Sequence, residues 1–142
     1  MAASVKPEDF DKKYKLGQKE FKIFRDEFLY WADTYGLRGW EFIFKYGEDP
    51  DNRAFIQREL ESRIVVISLA DEWIGLPPDE FNLKRVAYHE AFELLLSKLV
   101  DLCMERSVSE KQVIEEVHNL IRIFENHHFD SHYKRAKGKK KK

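Results

Sequence analysis

The amino-acid sequence predicts an α+β fold with an N-terminal helix, a three-stranded antiparallel meander and two C-terminal helices. Apolar residues recur at helical spacing from Gln18 to Tyr35. A second helix is predicted over Glu80 to Met104, after the potential capping residue Asp79. Between these two stretches, residues 40–46 place an aromatic side chain at every second position. The run 63–69 is rich in β-branched residues, which favour strands. Helices on both sides of a short run of strands are typical of α+β domains.

The first helix is predicted from apolar residues that fall on one side of it. They are Phe21, Phe24, Phe28, Trp31 and Ala32. Gly36 follows directly after this stretch. Because glycine adopts a left-handed backbone at little cost, it is well suited to end the helix.

The strands are predicted at 40–46, 53–61 and 63–69, where the spacing of apolar residues has a period of two or the run is β-branched. The segment 47–52 has the composition of a turn, with glycine, proline, aspartate and asparagine. Because the links between the three runs are short and polar, we expect strands that follow one another to pair as an antiparallel meander.

Two helices follow the sheet. Asp79 stands where it can cap a helix over residues 80–104. The segment Ser107-Val-Ser-Glu110 has the spacing of a capping box. It predicts the start of a last helix that ends near His128.

The composition indicates one folded domain with a charged tail. The chain has 142 residues, of which 43% are hydrophobic, and its formal net charge is -1. We divide it into an N-terminal extension at 1–17, a domain at 18–130 and a disordered basic tail at 131–142. The last nine residues hold seven lysines or arginines and no acid, so the rest of the chain is acidic. Such tails are solvated, and the alternative is a weak, salt-sensitive attraction to nucleic acid.

The sequence also bears on the cellular compartment. Cys103 is the one cysteine, which excludes an intramolecular disulfide, and its apolar neighbours predict a buried reduced thiol. The N-terminus lacks the apolar core of a signal peptide. No run approaches the roughly 18 apolar residues of a membrane span. We therefore expect a cytoplasmic protein that does not associate with membranes.

The helix at 80–104 is unusual because it is apolar nearly all round yet contains His89, Glu90 and Glu93. A helix of this kind is packed on most sides, and we expect all three side chains to be buried with it. Burying two neighbouring carboxylates costs several kcal/mol unless they are paired or bound to a metal ion. His89 and Glu93 lie one helical turn apart and are able to share a Zn²⁺ ion. Glu90 would then project toward water beside the ion as a general base.

A third metal ligand is predicted on the last helix. His118 and Glu125 lie seven residues apart at the edge of its apolar stripe, and His118 is the preferred candidate. The alternative is a metal-free network in which Glu90 or Glu93 pairs with Arg85 or Arg122.

The order of elements, with the motif Ala87-Tyr-His-Glu-Ala-Phe-Glu-Leu-Leu-Leu96, resembles the minimal zincin-like metallopeptidases. It is most similar to small zincin-like proteins of bacteriophage and bacterial genomes. The resemblance implies that His89 is the first zinc ligand and Glu90 the general base. It also implies that Glu93 replaces the usual second histidine and that His118 is the downstream ligand. The expected function is a zinc metallopeptidase-like hydrolase that acts on a protein or peptide.

The glutamate in place of the second histidine is a departure from the family motif. Zinc accepts two histidines and one glutamate in working hydrolases, but the added charge weakens its Lewis acidity and favours harder ions such as Mn²⁺. The alternative function is therefore a catalytically inactive zincin-like phage protein that binds or inhibits a host protein, with a structural metal or none. The expected cofactor is Zn²⁺, with Mn²⁺ or another divalent cation as the alternative.

Overall fold

The computed structural model describes residues 10–129, which form three α-helices and five β-strands in two small sheets. This confirms the α+β class. The helices are α1 (Gln18–Thr34), α2 (Glu80–Met104) and α3 (Glu110–Phe124), and a π-helical turn at Glu125–Phe129 follows α3. The strands are β1 (Lys13–Lys15), β2 (Glu41–Gly47), β3 (Ala54–Glu59), β4 (Ile64–Ala70) and β5 (Glu72–Ile74).

The larger sheet has the strand order β2-β4-β3, so the predicted antiparallel meander is wrong. The central strand β4 is antiparallel to β3 but parallel to β2. Both faces of β4 carry apolar side chains: Val65 and Ile67 are fully buried, and Val66 between them is half-buried. Apolar residues on both faces are typical of a strand whose two faces are both covered. Because β2 and β3 lie at opposite edges of this sheet, the segment 48–53 passes from one edge to the other.

A second, two-stranded sheet pairs β1 with β5 in antiparallel register, with Tyr14 opposite Trp73. Neither strand is predicted from the sequence. Residues 13–15 lie in the predicted N-terminal extension, and residues 71–79 are expected to form a connection without a strand. Trp73 is fully buried, and its indole N–H donates to the carbonyl of Arg53 at 3.1 Å. This hydrogen bond fixes β5 against the segment that leads into β3.

Helix α1 packs on the aromatic face of β2. The ring of Phe28 meets those of Phe42 and Phe44 edge to face, at centroid distances of 5.7 and 5.6 Å. Such aromatic pairs add to the free energy of burial. After α1, Gly36 has a φ of 71°, and the N–H of Leu37 donates to the carbonyl of Ala32 at 2.8 Å. The predicted role of Gly36 at the helix end is confirmed.

Helix α2 begins where the sequence predicts. The N–H of Asn82 donates to Oδ1 of Asp79 at 2.8 Å, which confirms Asp79 as the cap. The stripe of α2 that enters the core consists of four fully buried residues, Leu83, Ala87, Ala91 and Leu94. It packs in one cluster with the buried residues of α1 and β4.

The chain divides into two compact units, Met1–Leu94 and Leu95–Lys142, with the division inside α2. In the second unit, Ser109 caps α3 by accepting the N–H of Gln112 at 3.3 Å, and Gln112 accepts the N–H of Ser109 at 2.9 Å. The capping box therefore lies at 109–112, whereas the sequence analysis placed it at Ser107–Glu110. Lys98 and Glu116 form an ion pair of 3.1 Å within this unit.

The prediction that Cys103 is buried is wrong, because the thiol lies in the exposed last turn of α2. An apolar run in sequence did not imply burial here, since Met104 beside it is 81% exposed. Across residues 10–129, no helix combines the length and apolarity needed to cross a membrane.

Candidate functional site

The three polar residues of the α2 motif lie in different environments. Glu90 is buried, with 5% of its surface exposed. The side chains of His89 and Glu93, in contrast, are 74% and 52% exposed. The prediction that all three are buried holds for Glu90 and is wrong for the other two. The helix has one face in the core, and Glu90 lies on the flank of that face, three residues after Ala87 and four before Leu94.

Glu90 has an environment unlike that of any ordinary surface acid. Within the described part of the chain, no hydrogen-bond donor reaches its Oε2 atom. Burial raises the pKa of Glu90 to about 7, and the negative charge of Glu93 contributes to the shift. Removal of a carboxylate from water favours its neutral form. A carboxyl group with a pKa near neutrality is suited to accept and release a proton in a reaction.

Glu90 lies at a cleft of about 1100 Å³ within the first unit. One wall of this cleft is α2, where Arg85, Val86 and His89 line it beside Glu90. The opposite walls come from β5 and from the segment 48–53. The cleft is large enough for a ligand of several residues, since small-molecule sites typically measure about 300–1,000 Å³.

His89 and Glu93 form a pair on the exposed side of α2. Nε2 of His89 and Oε2 of Glu93 lie 3.9 Å apart, one helical turn from each other. Two ligands of one tetrahedral Zn²⁺ ion are about 3.3 Å apart, given bond lengths of about 2.0–2.1 Å. Since both side chains are exposed, small rotations bring the two atoms to that spacing. An imidazole and a carboxylate are a suitable donor pair for zinc, and the pair fits the predicted role.

The other predicted ligands lie on the second unit. His118 is exposed on α3, with Nδ1 3.0 Å from the carbonyl of Ile114. This contact favours the tautomer with a proton on Nδ1, which leaves the lone pair of Nε2 available to a metal. Glu125 is exposed at the end of α3. Over residues 10–129, no three histidine, cysteine or acidic side chains come together as a metal site. The role of His118 as a third ligand therefore stays a prediction.

An aromatic cluster fixes α2 against α1 at the level of the motif. The ring of Tyr88 lies 4.8 Å from that of Trp31 and 5.8 Å from that of Phe92. The hydroxyl groups of Tyr35 and Tyr88 are 3.2 Å apart, and burial with this hydrogen bond raises the pKa of Tyr35. Tyr88 points into this cluster and is not among the residues that line the cleft. The cluster positions Glu90 without taking part in the cleft.

Several lining residues of the cleft did not stand out in the sequence. Arg85 was considered only as a partner for Glu90 or Glu93, but it lines the cleft and does not reach Oε2 of Glu90. Residues 48–52 were interpreted as a turn, Arg53 as the start of a strand and Asp71 as part of a connection. The available sequence signal was Trp73, an aromatic residue in that connection, which is buried at the cleft.

No protein-family model, curated protein or solved structure matches this chain.

Proposed function

We propose that this protein is a metal-dependent hydrolase that cleaves a peptide bond, with Glu90 as the general base. The observation that carries the proposal is the buried carboxylate of Glu90, which lies at a cleft and whose Oε2 atom meets no hydrogen-bond donor from residues 10–129. A group held in this way loses solvation energy without a compensating bond, unless an occupant of the cleft supplies one. The pKa of about 7 suits proton abstraction from water near neutral pH.

His89 and Glu93 are the proposed metal ligands in the first unit. The sequence predicts His118, which belongs to the second unit, as a third ligand. A divalent ion such as Zn²⁺ or Mn²⁺, when bound, would polarise a carbonyl as a Lewis acid and lower the pKa of water. Glu90 accepts the proton that water loses on attack and returns it to the leaving amine. Arg85, one turn before His89 on α2, is a cationic side chain that lines the cleft.

Strand β3 provides the proposed binding edge for the substrate. It lies at one side of the three-stranded sheet, and its first residue, Ala54, lines the cleft. An extended peptide pairs readily with an exposed strand edge through main-chain hydrogen bonds. A peptide that added to β3 would run toward the cleft that contains Glu90.

The proposal is tested by metal titration and by proteolysis of a fluorescent casein. We expect the metal-stripped protein to bind about one equivalent of Zn²⁺ or Mn²⁺, and His89→Ala and Glu93→Ala to lose that binding. His118→Ala tests the third ligand, and His128→Ala is the matched control. Glu90→Gln should bind metal normally but lose activity by at least about a hundredfold, the usual contribution of a general base.

Each outcome has a separate meaning. Activity that survives in Glu90→Gln would overturn the role of Glu90. A folded protein that takes up no metal and cleaves no casein would overturn the hydrolase. It would favour the alternative, a protein that binds a host partner through this fold.

A further inference from the structure

The cleft beside Glu90 carries more negative than positive side chains. Six carboxylates line it, against three basic side chains and His89. The six are Glu48, Asp49, Asp51, Asp71, Glu72 and Glu90.

Little within residues 10–129 offsets these charges. Of the six carboxylates, Glu72 alone forms an ion pair in this part of the chain, with Lys13 at 3.1 Å. Among the basic side chains of the cleft, Arg53 is held by its hydrogen bond to the carbonyl of Ile74 at 3.0 Å. Lys15 and Arg85 are the remaining cations. A concave surface with one sign of charge in excess concentrates ligands of the opposite sign.

The interior of the cleft indicates what kind of cation fits. Only 5% of the surface of Glu90 is exposed, and within residues 10–129 no hydrogen-bond donor reaches its Oε2 atom. Leu76 and Val86 line the same cleft with apolar surface. Lysine and arginine have long apolar stems and a charged end, so they match a lining that is apolar in part and acidic in part.

We propose that the cleft binds a basic side chain, lysine or arginine, of an extended peptide, and that the acidic side chains that line the cleft select for it. The apolar stem lies against Leu76 and Val86, and the charged end meets Asp49, Asp51 and Asp71. As the substrate class of an enzyme, this rests on the proposed function. As a binding site, it does not depend on metal or turnover.

The test measures peptide binding to the full-length protein in the presence of EDTA, so that no metal-dependent reaction occurs. The probe is a capped fluorescent octapeptide with two adjacent arginines, and the matched probe has two citrullines, which are neutral and of similar shape. We expect the arginine peptide to bind at least tenfold more tightly at low salt. Raising the ionic strength to about 0.5 M should remove most of this difference, because exposed charges are screened.

The variant Asp49→Asn/Asp51→Asn/Asp71→Asn removes three of the negative charges that line the cleft. It keeps an acceptor at position 49, where Oδ1 accepts the N–H groups of Asp51 and Asn52 at 2.9 Å each. We expect it to weaken binding of the arginine peptide about tenfold, given the modest value of each exposed charge pair. The control variant Glu41→Gln/Glu61→Gln/Glu105→Gln changes the net charge equally at exposed positions outside the cleft.

Equal binding of the two peptides, or equal loss in the two triple variants, would overturn the proposal. In the first case the cleft does not recognise charge, and in the second the attraction comes from the protein as a whole. Metal-dependent cleavage of casein with no preference for basic peptides would leave the hydrolase intact and refute only the substrate class. Selective binding without metal uptake would support the cleft and refute the hydrolase.

Discussion

Replacing Glu90 by glutamine should stabilise the metal-free protein above neutral pH. Glutamine has nearly the shape of a protonated glutamate but carries no charge to bury. In the folded protein the pKa of Glu90 is raised to about 7 by burial and by the charge of Glu93. In the unfolded chain the group has its ordinary pKa of 4.5. Folding therefore costs free energy whenever the pH is high enough to ionise this group.

The size and sign of the effect follow from the two pKa values. Each unit of pKa difference corresponds to about 1.4 kcal/mol, so the cost reaches about 3 kcal/mol. Because the folded-state pKa is the higher one, the stability associated with the protonated carboxyl is fully present below pH 4.5. It falls as the pH rises and is lost above pH 7. The advantage of Glu90→Gln should thus be near zero at pH 4 and about 3 kcal/mol at pH 8.

The assay is urea unfolding in EDTA, followed by tryptophan fluorescence at several pH values from 4 to 8. All three tryptophans of the chain lie in the first unit, which contains Glu90. The fully buried Trp73 lines the same cleft. The signal therefore reports on the part of the protein that the substitution affects.

Glu93→Gln is the matched control, since Glu93 is on the same helix but half-exposed. It removes the smaller of the two causes of the pKa shift, so it should reduce the pH dependence of wild-type stability without abolishing it. The reasoning is refuted if Glu90→Gln is no more stable than wild type at pH 8. It is also refuted if Glu90→Gln and wild type lose stability in parallel as the pH rises.

Four further substitutions test the fold by the same unfolding assay. Gly75 has a φ of 74°, and a Cβ there would lie 2.8 Å from the carbonyl oxygen of Phe10, whereas Gly36 has a φ of 71° with open space. Gly75→Ala should therefore cost about 3 kcal/mol and Gly36→Ala about 1 kcal/mol, and equal costs would contradict the close contact. Asp79→Ala should cost about 1 kcal/mol through loss of the cap of α2. Ile67→Ala, at a fully buried position of the central strand, should cost about 4 kcal/mol, and a loss below 1 kcal/mol would contradict its place in the core.

The sequence predicted the helices well because their signals are local. Asp79 and Gly36 act on their immediate neighbours, and the periodicity of apolar residues identified α1. The pairing of strands is not local, and the short links favoured a meander that does not exist. The β-branched residues 64–67 of β4 predict a strand, but they do not show which strands pair with it.

The sequence identified the motif residues of α2 but did not show which of them are buried, because burial also depends on contacts that are not local. Apolar residues lie on both sides of the α2 wheel, so the sequence did not reveal which side meets the core. Val86, on the side that also holds His89 and Glu93, is only half-buried, whereas Ala87 and Leu94 are fully enclosed. Glu90 lies on the flank toward those two, which explains why it alone is buried. Only packing against other elements decides such a case.

The cost of Glu90 connects stability with function. A cost of about 3 kcal/mol is a large part of the total stability of a domain, which is typically about 5–15 kcal/mol. A glutamine at this position would avoid that cost without changing the volume of the core. A carboxylate at position 90 is therefore explained if a ligand in the cleft compensates its charge. The ligand does so either by giving a proton to Glu90 or by placing a cation beside it. If Glu90→Gln is more stable and retains full turnover, the carboxylate is only a cost, and the proposed hydrolase loses its main support.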